Sequence, residues 1–257
     1  CPVCKSRIQN NHNQYYFCHI CKIEFNIYEN IIDFRNQKSD STKGFSFKND
    51  LYISKILSLN FSKFKTFNGL LAFYEKLKEF KNIDDINNAK IDQSIKASLA
   101  FDIPMSTQQS IHGYDILKKI NLYKNEFNYE SFDYNVCLEN GCGHGLFIEG
   151  LSKKFQTLLV IDFSMSYLFL AKKICEEKKI SNIKFLCASV ENLPIKENSI
   201  DFIHSNNVIE HVSDQASMIK EINRALSLKG FLFLLSPNKN SAYFEPHYRI
   251  PFYGLVP

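Results

Sequence analysis

Apolar and polar positions divide this chain into three stretches with different periods. Over residues 1–34 they tend to alternate: Tyr15-Tyr16-Phe17 reads as a strand, Ile23-Glu24-Phe25-Asn26-Ile27 as a second, and Ile31-Ile32-Asp33-Phe34 follows. Residues 35–50 are polar and turn-rich and read as a linker. From Leu51 to about Phe80 the apolar residues recur at helical spacing (Ile53, Ile56, Leu57, Leu70, Leu71, Tyr74, Leu77), with a break between Asn60 and Gly69. Asn82 to Asn88 reads as a polar turn, Ile91 to Ala100 as a helix, and Ile111 to Tyr123 as another, with Ile116, Leu117 and Ile120 on one side. From Val136 onward, short apolar runs alternate with amphipathic stretches. Strands are predicted at Val136 to Leu138, Thr157 to Ile161, Ile183 to Cys187, from Asp201, and at Phe231 to Leu235. Between them fall predicted helices from His144 to about Phe155, from an N-cap at Ser164 to about Lys179, and from Ser213-Asp214 to a stop at Lys229-Gly230.

Composition adds limits. The chain has 257 residues, 45% hydrophobic and 23% charged, which is room for one large or two modest globular domains. A formal charge of +4 permits an anionic partner without demanding one. No apolar run approaches the ~18 residues of a membrane span. The chain starts at Cys1, so the native N-terminus is expected to be missing. Cys137, Cys142, Cys175 and Cys187 are scattered through apolar segments, as in a reducing compartment, and a cytoplasmic location is expected.

The other four cysteines are paired. Cys1-Pro-Val-Cys4 and Cys18-His-Ile-Cys21 are two C-x-x-C turns separated by thirteen residues. Each turn can bring two thiolates to one metal, and two turns complete a tetrahedral set that favours structural zinc. Metal binding would supply most of the stability of so small a ribbon. A disulfide pair is the main competing reading, against which the scattered thiols argue; a redox role is weaker. His12 and His19 could replace a thiolate, but four cysteines already fill the tetrahedron.

Val136-Cys-Leu-Glu139-Asn-Gly141-Cys-Gly143-His-Gly145 carries the chemistry. A strand ends in an acid and meets three glycines at alternate positions, and the next predicted strand ends at Asp162. This is how a unit wrapping a nucleoside-bearing cofactor reads: glycines admit a sharp turn and a close ligand, and Asp162 can accept from both ribose hydroxyls. The third glycine of the dinucleotide fingerprint is absent, and Glu139 would repel a pyrophosphate but attract an ammonium.

From about Asn135 to Asn238 the chain resembles the class I S-adenosylmethionine-dependent methyltransferases, whose first motif reads acid-x-G-x-G-x-G. Ala188-Ser-Val-Glu-Asn-Leu-Pro-Ile195 resembles the family's "G-D-A-x-x-L-P-F", with Ser189 where an Asp is usual; its hydroxyl can still accept from the adenine amino group. Asn198 to Val212 resembles "x-S-F-D-x-V-x-S-x-x-V-L-E-H-V". The resemblance implies Glu139 near the methionine ammonium and Gly141, Cys142 and Gly143 along methionine and ribose. It implies Asp162 on the ribose, Phe163 on adenine, and Ser189 with Val190 at the adenine edge. Ser205, Asn206 and Asn207 would lie near the sulfonium and methyl. Glu210 and His211 are the candidates for a general base, His211 the one singled out as catalytic, although E-H recurs with very different substrates and so suits a structural role too. The N-terminal segment is similar to zinc ribbons that precede some bacterial methyltransferase domains; related modules in some ribosomal RNA guanine methyltransferases put RNA beside small molecules among the acceptors.

The expected fold is α/β: a zinc ribbon at 1–34, a linker and helical connector or lid at 35–130, and a doubly wound Rossmann-like methyltransferase domain at 131–257. Its last strands are expected to be missing, because the nineteen residues after Asn238 cannot supply a helix and hairpin. His247 and Arg249 are weak site candidates there. The expected activity is methyl transfer from S-adenosylmethionine to an O, N or C acceptor, with structural zinc as the second cofactor and no protein partner implied. Two other readings stay open. A nicotinamide-dependent oxidoreductase is disfavoured by the missing glycine and by Asn207-Val-Ile-Glu-His211; a non-catalytic docking module is kept alive by Ser189 and the short C-terminal stretch.

Overall fold

A computed structural model of the chain describes residues 1–11, 15–35, 47–79, 115–116, 118–122, 125–126 and 134–237. The apolar runs form five parallel strands: β5 (Val136–Asn140), β6 (Thr157–Asp162), β7 (Ile183–Cys187), β8 (Ile200–Asn206) and β9 (Leu226–Leu235). Before them come β1 (Gln9–Asn11), β2 (Tyr15–Cys18), β3 (Ile23–Tyr28) and β4 (Ile31–Asp33). All nine lie in one sheet in the order β1-β2-β3-β4-β7-β6-β5-β8-β9.

Both faces of the parallel part are buried, and alternation along each strand shows it. Cys137, Leu158, Val160 and Phe202 face one core; Leu138, Ile161 and Ile203 face the other. The first core is covered by α3 (Ile148–Lys154), α4 (Met165–Glu177) and two connector helices, α1 (Phe47–Asn60) and α2 (Phe67–Glu79), that pack on α4. The second is covered by α5 (Gln215–Ala225) through Met218 and Ile222. From β5 the chain winds outward to β7, then returns to β5's other side at β8. The crevice at the strand tips where the order reverses is where such sheets bind ligands.

The first four strands form an antiparallel ribbon whose last turn is tight: Tyr28 faces Ile31 across Glu29 and Asn30, both at positive φ. The ribbon does not end there. β4 pairs in parallel with β7, Ile32 opposite Leu186 and Asp33 opposite Cys187, which extends the main sheet.

The predicted linker contains an anchor. Arg35 is buried and bonds Asp33, the Phe163 carbonyl (3.1 Å) and the Asp50 carboxylate (2.5 Å). Asp50, in the first turn of α1, accepts from the Ser164 hydroxyl and from the Met165 and Ser166 N–H groups. It thereby caps α4 from another element, beside the Ser164 cap that the sequence predicts.

Two helix boundaries differ from expectation. α3 starts at Ile148 rather than His144, because residues 144–147 form turns closed by Gly145 N–H on the Cys142 carbonyl. α5 ends at Ala225, not at Lys229-Gly230, because Leu226 pairs with Ile200 and draws the chain into β9. Residues 227–230 then bulge before Phe231 pairs with Phe202, and Gly230 is needed for close approach: a Cβ there would lie 2.8 Å from the Ile200 carbonyl oxygen. The break predicted between Asn60 and Gly69 is a 3₁₀ turn at Phe61–Lys63. Of the predicted helix at 111–123, residues 115–116 and 118–122 are helical, with Ile116 and Ile120 buried. The turn at 82–88, the helix at 91–100, and His12, His247 and Arg249 lie outside the described residues. Among the described residues no helix is long and apolar enough to cross a membrane.

Arg35→Leu strands the Asp50 carboxylate in the core and is expected to lower the unfolding free energy by about 3–5 kcal/mol. Urea denaturation checks this; a loss below about 1 kcal/mol, the range of an exposed pair, would contradict it.

Candidate functional site

The β5–α3 turn builds the floor of the crevice. Gly141 and Cys142 both donate to the Ile161 carbonyl, folding the chain back over β6. Gly141 has φ +84°, and a Cβ there would sit 2.4 Å from Val208 Cγ2, so neither the conformation nor the space admits another residue. At Gly143 a Cβ would meet no protein atom within 4 Å, because that position opens to the crevice. Its N–H donates to Asp162 Oδ2 (2.9 Å), while Ser164 N–H donates to Oδ1 (2.8 Å). Burial pushes the Asp162 carboxyl up to about 6, and these N–H groups hold it from rising further.

Above this floor lies a cavity of about 500 Å³. Glu139, Gly141, Cys142, Gly143, Asp162, Phe163, Ser189, Val190 and Asn206 all line it, as does His211 at its exposed rim. The sequence therefore brought nine cofactor candidates and the catalytic candidate to one place. Glu210 does not line it. Burial holds the Cys142 thiol well above its ordinary range, which suits a wall rather than a nucleophile.

Several lining contacts could not be anticipated. Ser189 donates to Glu191 Oε2 (3.2 Å) and accepts from Glu191 N–H, so a carboxylate does stand at this loop, two residues from the usual position. His144 and Tyr167 line the cavity edge-on to each other at 4.9 Å, with Tyr74 of α2 behind them, so α2 braces the wall. Asn206 Oδ1 is buried without a hydrogen-bond partner. Glu139 Oε2 lies 2.6 Å from Nδ1 of His204, the neighbouring residue on β8. A buried acid and a histidine at paired register are the signal that could have found this contact, but register is invisible before the strands are paired.

The antiparallel pairing of β1 with β2 brings the two C-x-x-C turns together. The turns match: Lys5 and Lys22 follow them at φ 58° and 56°, each donating to the carbonyl of its turn's first cysteine. The thiols of Cys1, Cys4, Cys18 and Cys21 all lie within 4.8 Å of one another, with Cys1–Cys21 at 3.9 Å and Cys4–Cys18 at 3.5 Å. Four sulfurs about 2.3 Å from one zinc stand about 3.8 Å apart, so this set fits the ion. Hydrogen bonding by Ser6 holds the Cys4 thiol down, to about 6, while hydrogen bonding to Cys4 pushes the Cys21 thiol up, to about 11. His19 turns instead to Gln9 Oε1 (2.7 Å). All eight cysteines are free thiols.

The first knuckle abuts the crevice wall. Cys1 and Cys18 share a core with Val190, Leu193 and Ile195. The Lys5 ammonium bonds Asn192 Oδ1 (2.6 Å) and Glu221 Oε2 (2.8 Å).

Residues 138–234 match the family model described as a methyltransferase domain. The chain is similar to an uncharacterised protein of Methanocaldococcus jannaschii, 36% identical over 126 residues, 49% of this chain and 50% of that protein. It is also similar to the ubiquinone biosynthesis O-methyltransferase of Coxiella burnetii, 33% identical over 103 residues, 40% of this chain and 44% of that protein. The chain thus spans about half the length of these curated relatives. Among solved structures, a SAM-dependent methyltransferase from Aquifex aeolicus superposes with a TM-score of 0.42 at 17% identity, over 54% of this chain and 75% of that one.

Gly141→Ala forces both a positive φ and a clash with Val208. It is expected to destabilise the fold by roughly 1–3 kcal/mol, read as a lower midpoint in urea at unchanged slope.

Proposed function

We propose that this chain, with its methyltransferase-family domain at residues 138–234, moves a methyl group from S-adenosylmethionine to an O, N or C atom of a small acceptor. The supporting observation is the single cavity lined by all nine predicted donor residues at the tips of β5, β6 and β8 and the loop after β7. The open space at Gly143 and the carboxylate of Asp162 beside it suit a ribose. Phe163 offers a face for adenine, Ser189 and Val190 meet its edge, and Glu139 meets the ammonium. Bound there, S-adenosylmethionine supplies a methyl group already activated by its sulfonium. The chain's residues then have to orient, exclude water and, where the acceptor requires it, take a proton. His211 on the rim is the candidate for that last role, and Asn206 Oδ1 offers an unfilled acceptor at the methyl end.

The walls favour a small acceptor over RNA. No lysine or arginine lines the cavity among the described residues, whereas Glu139, Asp162 and Glu191 do, and a phosphate backbone would be repelled. Leu146, Phe147 and Val208 supply apolar surface. A pyrophosphate-bearing dinucleotide would meet the same carboxylates, so the oxidoreductase reading is not favoured.

The four knuckle thiols hold a structural zinc in this reading. Cys4→Ser is expected to lower bound zinc from one per chain toward zero and to reduce the melting temperature; full zinc retention would count against a four-thiolate site.

Calorimetric titration with S-adenosylhomocysteine tests the donor site: saturable binding is expected, and binding of NAD in its place would overturn the proposal. Asp162→Asn is expected to weaken binding by roughly 1.5–3 kcal/mol through the ribose contacts. The pH dependence has a definite sign. The donor-free carboxyl takes its proton near pH 6 and then accepts poorly from hydroxyls. Wild-type affinity should therefore fall as pH drops through 6, and Asp162→Asn should flatten that limb.

A further inference from the structure

Glu139 and His204 form the one acid–histidine pair that the described residues place at the centre of the sheet. They are opposite neighbours on the parallel strands β5 and β8, 1% and 0% exposed, with Glu139 Oε2 at 2.6 Å from His204 Nδ1. Glu139 lines the donor cavity; His204 does not. The imidazole lies between Phe233, stacked at 5.5 Å, and Phe147, tilted at 4.5 Å, which fix its plane. Its Nε2 is buried and makes no hydrogen bond.

A core designed for stability alone would not contain this arrangement. Taking a carboxylate and an imidazole out of water is costly, their attraction rarely does more than offset it, and an unmade hydrogen bond at Nε2 adds a further penalty. A leucine at 204 would fill the space without those costs. The carboxylate has no proton to give, so Nδ1 donates and Nε2 is the nitrogen left bare. The strand register sets His204 opposite Glu139, and the two phenylalanine rings hold the imidazole with Nδ1 toward the carboxylate.

We infer that His204 is a positioning residue for the charged end of the methyl donor. Resting on the donor-site reading above, it holds Glu139 by one oxygen so that the residue meets the methionine ammonium in a set orientation. The histidine touches neither donor nor acceptor. It acts through Glu139 on the amino-acid half of the donor and leaves the nucleoside half, held by Asp162 and the 189–191 loop, unaffected.

The test compares two ligands that share a nucleoside: S-adenosylhomocysteine, which carries the ammonium, and 5′-methylthioadenosine, which lacks it. His204→Asn sets an amide N–H where Nδ1 was; His204→Gln sets it where Nε2 was. His204→Gln is expected to bind S-adenosylhomocysteine about tenfold more weakly than wild type, the loss of one charged hydrogen bond. It should bind methylthioadenosine unchanged, and His204→Asn should restore the first affinity. Equal losses for both ligands, or no loss, would overturn the inference. In the unmutated protein, nitrogen NMR should find the His204 proton on Nδ1 and should see that resonance move with S-adenosylhomocysteine but not with methylthioadenosine; the opposite tautomer, or equal movement, would overturn it without any variant having to fold. If wild type binds methylthioadenosine but not S-adenosylhomocysteine, this inference fails and the nucleoside site stands. If it binds neither, the donor-site reading fails and takes the inference with it.

Discussion

One buried guanidinium ties together three parts of the chain that would otherwise meet only through apolar surface. Arg35 leaves the end of β4, reaches Asp50 on α1 and donates to the carbonyl of Phe163 between β6 and α4. Hydrophobic contact is not directional and would tolerate a sliding of these elements. Charged hydrogen bonds in a dry interior do not, because a small displacement leaves an uncompensated charge. The consequence is local: the backbone from Asp162 to Ser166, which lines the cavity through Asp162, Phe163 and Ser164, is held from behind by residues 112 or more positions earlier in sequence.

The crevice repeats this logic at its other strand tips. Asp162 is fixed by two backbone N–H groups, Glu139 by His204, and Ser189 by Glu191. These three lining groups each have part of their hydrogen-bonding capacity engaged by the protein. A ligand then finds groups whose orientation has already been set, and the entropy of ordering them does not fall on binding. The raised carboxyl of Asp162 is the counterpart of this order: burial that fixes the side chain also makes its charge costly until a donor group arrives.

Strand positions, the Ser164 and Asp214 caps, the cavity-lining candidates and the cysteine set were legible because each is a local pattern. Apolar period, a cap residue or a C-x-x-C spacing can be read within a few residues. What was missed depends on pairing. Asp50 looks like an ordinary acid at the start of a helix, and only tertiary contact makes it the cap of a different one. His204 occupies a position that the motif leaves free, and its meaning comes from register with Glu139. Lys229-Gly230 has the composition of a helix stop; the β8–β9 pairing overrode it by starting the strand at Leu226 rather than Phe231.

The ribbon has enough structural work to explain its presence without an RNA. β7 would be the edge of the parallel sheet, and an unpaired edge invites association with another chain. β4 covers it, and because β4 is short and parallel it depends on the antiparallel strands behind it for support. Those strands bury little apolar surface of their own, which is the situation in which a metal clip contributes most. The same four-cysteine cluster stands against the loop that carries Ser189 and Val190, through the shared core with Cys1 and Cys18 and through Lys5 to Asn192. Edge protection and support of that loop therefore come from a single small module, and the position of the knuckles beside the crevice follows from the sheet order rather than from any requirement of the acceptor.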